Sequence, residues 1–128
     1  MTSSRIFVFG SNLAGRHGAG SAKEALKNWG AVYGVGIGHV GNSYAIPTKG
    51  FRFEVLPLET IRGYVKDFLI YADQHPELIF QVVAIGCGLA GYKPHEIAPM
   101  FQGAASNVEL PGEFKECLKV KLGGGNCA

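Results

Sequence analysis

The sequence predicts one α/β domain built on a mixed, mostly parallel sheet, and three observations carry that reading. Two short runs, Ile6–Phe9 and Leu78–Ile85, are nearly all apolar, the composition of strands buried on both faces. Each run feeds a glycine-rich loop that opens into a helical pattern, so the order strand, glycine loop, helix occurs twice. At 128 residues and 47% hydrophobic content, the chain is sized for a single ordinary core.

The elements follow in order. Ile6–Phe9 is bounded by Arg5 and Gly10, and its loop runs from Gly10 to Gly20. Ser21-Ala22-Lys23-Glu24 has the spacing of a capping box. Ala22, Ala25, Leu26 and Trp29 then form the stripe of a helix ending near Gly30. Ala31–Gly41 holds too many glycines for a firm helix and too little polarity for a solvated linker, and reads as irregular or extended. Ser43–Pro47 is a second strand that the proline is expected to stop, leaving Lys49 at its carboxyl end.

Glu59–His75 is the clearest helix, with Ile61, Tyr64, Val65, Phe68, Leu69 and Ala72 on one face and Pro76 as its stop. Leu78–Ile85 is expected to be central in the sheet, and a second glycine loop follows over Gly86–Tyr92. Pro94 suits the first position of a helix that turns Ile97, Met100 and Phe101 inward. Asn107–Leu110 reads as a short strand. Glu113–Leu122 fits a helix (Phe114, Cys117, Leu118) or a strand (Leu118, Val120, Leu122) equally well, and residues 122–128 read as a loose tail.

Composition narrows the function classes. A formal charge of +2 lacks the basic stripe that binding to a long nucleic acid duplex requires. Cys87, Cys117 and Cys127 have no CxxC or Cys/His spacing, which suggests neither a disulfide framework nor a metal site and suits a reducing cytoplasm. The N-terminal segment has no apolar signal core, no run is long enough for a membrane helix, and a cytosolic protein is expected.

Most of the 19 glycines fall in clusters, and glycine this dense means close approach of backbone to something. A glycine loop that enters a helix offers unpaired N–H groups and the positive end of the helix dipole, so phosphate is the natural guest. Open α/β sheets bind ligands at the carboxyl ends of their strands, where both loops and Lys49 are expected to converge. Both Gly36–Gly41 and Gly86–Gly91 satisfy GxGxxG. The first precedes a strand-like segment where a dinucleotide site needs a helix, and the second comes too late in the chain for the usual βαβ unit. A nicotinamide-dependent dehydrogenase is therefore not indicated, and no GxxxxGK[ST] loop exists.

Val8-Phe9-Gly10-Ser11-Asn12, Tyr44-Ala45-Ile46-Pro47-Thr48-Lys49 and Ile85-Gly86-Cys87-Gly88-Leu89-Ala90-Gly91-Tyr92 together resemble the macrodomain superfamily over roughly residues 6 to 101. The likeness is nearest to the branch of the terminal ADP-ribose protein glycohydrolase and the DNA ADP-ribosyl glycohydrolase antitoxins, where an IGCGL loop follows the central strand. It implies a three-layer α/β/α sandwich. Because the chain opens directly on the Asn-bearing strand, the sheet is expected to be trimmed at its N-terminal side.

The resemblance also implies roles. Gly10, Ser11 and Asn12 would meet the distal ribose through Asn12, while Gly18, Ala19 and Gly20 would line the diphosphate. The run Gly86, Cys87, Gly88, Leu89, Ala90, Gly91 and Tyr92 would wrap the phosphates from the other side. Lys49 falls where this branch has its catalytic lysine. An amine desolvated beside an apolar, glycine-lined pocket is a plausible nucleophile for the anomeric carbon of an ADP-ribosyl group. The protein glycohydrolase has aspartate after IGCGL where this chain has Ala90, which bears against a protein substrate more than against glycohydrolysis. Three functions stay open: an ADP-ribosyl glycohydrolase without cofactor, a module that binds ADP-ribose or a related nucleotide without turnover, and an interaction protein with vestigial loops.

The remaining candidates weigh less. His17 is a possible phosphate or ribose contact within the first loop, and His39 lies in the middle glycine cluster. His75 and His95 flank helices and read as structural. Cys87 reads as a small residue packed under its loop, Arg16 as a possible anion contact, and Trp29 and Tyr64 as core.

Overall fold

A computed structural model of the chain describes residues 5–123. Strand β1 (Arg5–Asn12) is buried on both faces, and the alternation of its side chains builds two cores. Ile6 and Val8 join the larger core, whereas Phe7 and Phe9 join a smaller one on the opposite face.

The remaining strands are β2 (Gly38–Val40), β3 (Ser43–Lys49), β4 (Ile79–Val82) and β5 (Val108–Glu109), arranged in the order β2-β3-β1-β4-β5. Strands β3 and β4 flank β1 in parallel, β5 runs parallel to β4, and β2 is antiparallel to β3. The sheet is thus mixed and mostly parallel. Its parallel strands deliver their carboxyl ends to one edge.

Helix α1 (Gly20–Asn28) covers the smaller core by setting Ala22 and Ala25 on Phe7, Phe9 and Ala45. Trp29, just past its end, stacks on Phe7 with ring centroids 5.0 Å apart. Leu26, expected on the buried stripe, is exposed, and the helix buries only its small residues Ala22 and Ala25.

Helix α2 (Leu58–Asp73) covers the other face through Ile61, Val65, Phe68 and Ala72. Phe68 meets Tyr44 and Phe80 edge-on at 5.0 and 5.3 Å, a favoured aromatic geometry. Helix α3 (Pro94–Ile97) passes at once into a 3₁₀ turn (Ala98–Phe101), since Pro99 cannot continue the α-helical ladder. Helix α4 (Gly112–Gly123) closes this side by laying Phe114 against Phe101 at 5.5 Å. The segment that fitted helix or strand equally is therefore helix. Leu122 and Gly123 belong to α4 rather than to a loose tail, and residues 124–128 lie outside the described residues.

Several element ends depart from expectation for identifiable reasons. β1 continues through Gly10, Ser11 and Asn12, so the first loop begins only at Leu13. Pro47 does not stop β3. It pairs opposite Ser11, and the register then slips so that Asn12 faces Lys49, a bulge that accommodates the missing proline N–H. β4 ends at Val82 instead of Ile85, because Ile85 N donates to Val83 O at 2.7 Å and Cys87 N to Ala84 O at 3.2 Å, turning the chain off the sheet.

The glycines of residues 34–41 also find their reason here. A Cβ on Gly36 would stand 2.1 Å from Asn12 O, and one on Gly15 would stand 2.3 Å from the Gly34 carbonyl carbon. The segment lies directly on the end of β1, and only glycine permits that approach. No helix among the described residues is long and apolar enough to cross a membrane.

Candidate functional site

A cleft of about 820 Å³ opens across the carboxyl ends of β3, β1 and β4. Gly10 forms its floor between two neighbours, with a hypothetical Cβ 3.5 Å from Thr48 Oγ1 and 3.6 Å from Gly86 N. One wall is the first glycine loop and the start of α1, including Gly18, Ala19, Gly20 and Ser21. The opposite wall is Gly86, Gly88, Leu89 and Ala90. Leu89 reaches across until its Cδ1 lies 3.9 Å from where a Cβ on Gly20 would be.

The N-terminus of α1 is bare. The expected capping box does not form: Ala19 is the N-cap, Ser21 lies inside the first turn, and no side chain caps the helix. No acidic residue occupies that turn either. The first intrahelical-type bond is Lys23 N to Ala19 O, which leaves the N–H groups of Gly20, Ser21 and Ala22 without a backbone acceptor among the described residues. In the facing loop, Gly91 N bonds Gly88 O and Tyr92 N bonds Gly86 O, whereas the N–H groups of Gly88, Leu89 and Ala90 have no acceptor among the described residues. Two sets of free donors therefore border one cleft.

Its charge has one sign. Among the described residues the charged groups on the cleft wall are Arg16 and Lys49, and none is acidic. Lys49 is half-buried at the end of β3, with no hydrogen bond or ion pair to its ammonium among the described residues. The Gly50 that follows is buried under the Glu54 carboxylate, which accepts from Arg52 N at 3.0 Å and holds the 50–54 turn in shape. Phe53 takes φ +64° in that turn, and the Arg16 guanidinium sits 5.8 Å from its ring centroid.

The other sequence-selected residues fall into two groups. Asn12 lines the cleft, but its amide also braces its own loop: Nδ2 donates to Arg16 O and Arg16 N donates to Oδ1, both at 2.9 Å. Ser11 lines it too, with its hydroxyl donated to Gly36 O. Four residues lie off the wall. His17 is 1% exposed and turned inward, its Nε2 at 3.1 and 3.0 Å from Val32 O and Val35 O. Tyr92 donates its hydroxyl to Leu56 O at 2.6 Å and ties the second loop to the start of α2. Gly91 supplies a positive φ of +84° for that loop's return.

Cys87 is half-buried against the larger core, and burial, aided by Glu113 and Glu96, pushes its thiol up to about 11. It is a free thiol that stays protonated at neutral pH, the reverse of an activated nucleophile. Cys117 on α4 is buried against the larger core. Tyr33 and Phe53, which the sequence reading did not select, stand on the cleft wall. Tyr33 had only its position before Gly34 as a sequence signal, and Phe53 had none.

Fold and site together define an α/β protein with a glycine-walled cleft, bordered by Arg16 and Lys49, at the carboxyl edge of a mostly parallel sheet. No protein-family model matches the sequence, and no curated protein matches it.

Proposed function

We propose that this protein binds ADP-ribose, or a closely related nucleoside diphosphate, in the cleft between the two glycine loops, and that Lys49 cleaves ADP-ribosyl linkages there. One observation carries the reading: among the described residues, an uncapped helix N-terminus and a loop with three N–H groups lacking acceptors flank a cleft whose charged residues are both basic. Such paired donors suit a diphosphate better than a single carboxylate. The resemblance of Gly10-Ser11-Asn12, Thr48-Lys49 and the Gly86–Tyr92 run to the macrodomain superfamily favours ADP-ribose among diphosphates, and a three-layer α/β/α sandwich of that kind agrees with helices on both faces of the sheet.

Hydrolysis rests on Lys49, which lines the same cleft with no protein partner for its amine among the described residues. Attack of that amine on the anomeric carbon would expel the linked group, and water would then release the sugar from the lysine. The same cleft without such attack is a non-catalytic reader. Thermal unfolding with ADP-ribose, NAD and AMP separates binding from its absence, because ligand at about 100 times its Kd adds roughly 2.7 kcal/mol. No shift with any of them refutes the proposal. Release of ADP-ribose from modified DNA or protein by wild type, lost in Lys49→Ala, separates enzyme from reader.

A further inference from the structure

His17 is the buried polar side chain that the cleft chemistry leaves unexplained. Its Nδ1 is enclosed without a hydrogen-bond partner among the described residues, a cost that native interiors tolerate rarely and for a reason. Since Nε2 faces two carbonyl oxygens, it carries the proton and donates to both. Those carbonyls, Val32 O and Val35 O, are the two ends of one β-turn, closed by Val35 N to Val32 O at 3.1 Å. Gly34 occupies its third position at φ +97°, as a type II turn requires.

The turn is fastened on a second side, where Gly34 N donates to Gly15 O at 2.8 Å and Gly15 packs directly under it. The His17 ring itself stands edge-on to Phe9 at 5.4 Å, in the core. A rigid clasp therefore joins the first glycine loop to a turn of four residues. The apex of that turn is Tyr33, which is 59% exposed and lines the cleft.

The place of Tyr33 along the cleft follows from the same contacts. Leu13 N donates to Lys49 O at 3.0 Å, and Arg16 lies over Phe53, so loop residues 13–17 and the clasped turn sit at the β3 end beside Lys49. The donors at the start of α1 and in Gly88–Ala90, where phosphates would rest, meet instead on the β4 side, where Leu89 Cδ1 lies 3.9 Å from where a Cβ on Gly20 would be. An aromatic face next to the nucleophile meets the reacting sugar, not the phosphates.

We propose that Tyr33 is the specificity-determining contact for the sugar beyond the diphosphate, and that His17 is the positioning residue that holds it there. The assignment rests on the functional reading above and names its selectivity: ADP-ribose is preferred over ADP because only ADP-ribose carries the sugar that Tyr33 covers. An aromatic face against a sugar is worth about the same as an aromatic pair, so its loss weakens binding about tenfold.

The experiment is titration calorimetry of ADP-ribose and of ADP against wild type, Tyr33→Ala, His17→Phe and His17→Gln. Tyr33→Ala removes an exposed side chain and leaves the fold intact. It is expected to weaken ADP-ribose about tenfold while leaving ADP within about twofold. His17→Phe keeps a ring over Phe9 but abolishes both donations, and is expected to show the same selective loss. His17→Gln restores an N–H donor and recovers part of it. If Tyr33→Ala weakens both nucleotides equally or neither, Tyr33 is not the sugar contact. If His17→Phe lowers the melting temperature yet preserves the ADP-ribose to ADP ratio, His17 is structural only. Wild type that binds neither nucleotide overturns the functional reading and this role with it.

Discussion

Asn12 and Lys49 are register partners at the adjoining carboxyl ends of β1 and β3, brought opposite each other by the slip that Pro47 imposes. Leu13 N donates to Lys49 O at 3.0 Å immediately beyond the pair. The proposed function would place binding and bond cleavage at these neighbouring strand ends, where mutation separates them. Lys49→Arg keeps a cation at the cleft but removes the nucleophilic amine. ADP-ribose affinity is expected to stay within a few-fold of wild type while linkage cleavage falls by at least about a hundredfold, as loss of a covalent catalyst demands. Single-turnover assays beside calorimetry check both arms, and unchanged cleavage by Lys49→Arg removes the lysine from the mechanism.

The Asn12 amide makes two hydrogen bonds to Arg16, and both are lost in Asn12→Ala. The expected cost is about 1–3 kcal/mol of folding stability. Arg16 should also leave its place over Phe53. Urea denaturation reports the first effect. A larger loss of ADP-ribose affinity than in Arg16→Ala would show that Asn12 contacts ligand as well as bracing the loop.

Two glycine substitutions are expected to act on different properties. Gly36→Ala drives a methyl to 2.1 Å from Asn12 O, and because both partners are backbone the clash cannot relax locally. A destabilisation of about 1–3 kcal/mol or more is expected. Gly18→Ala meets nothing within 4 Å, so its fold should be unaffected while the added methyl narrows the cleft. Equal melting temperatures for the two variants would contradict the packing described.

The pH dependence above neutrality has a definite sign. Burial raises Tyr44 from 10.0 to about 12, with Asp67 and Tyr71 adding to it. The folded state therefore keeps this proton over a range in which the unfolded chain has released it. Its contribution to stability is complete below pH 10.0 and is lost as pH rises towards about 12. Denaturation midpoints should fall across that window and fall less steeply in Tyr44→Phe.

Cys87, shifted from 9.0 to about 11, should react with an alkylating reagent at pH 8 more slowly than a cysteine in an unstructured peptide. Cys87→Ser is expected to leave ADP-ribose binding and turnover unchanged, since the side chain lies off the cleft wall. Mass spectrometry of timed alkylation tests the first statement. Rapid modification at neutral pH would mean the thiol is not held in its protonated form.

Much of this architecture was legible in local pattern. Ile6–Phe9, Leu78–Ile85 and the stripe of Glu59–His75 announced strands and a helix because burial on two faces, or on one, leaves a periodic record in composition. The glycine loops and Lys49 were legible for a similar reason: they follow strands, and parallel strands bring their carboxyl ends to one edge. What the sequence by itself determined was thus the class of fold, the two loops and the strand end between them.

Only the tertiary structure decided the rest, because each outcome depends on a partner distant in the chain. β3 outlasts Pro47 because β1 offers a register slip. Ser21 does not cap α1, although its spacing allows it, because the chain enters the helix two residues earlier, with Ala19 at the N-cap, and no side chain caps the start of α1. His17 takes a different place from the one its loop position suggests, for the same reason. A loop histidine beside glycines looks like a ligand contact, but Val32 and Val35 lie fifteen and eighteen residues further on and draw its ring inward, while the tyrosine between them is carried out to the cleft.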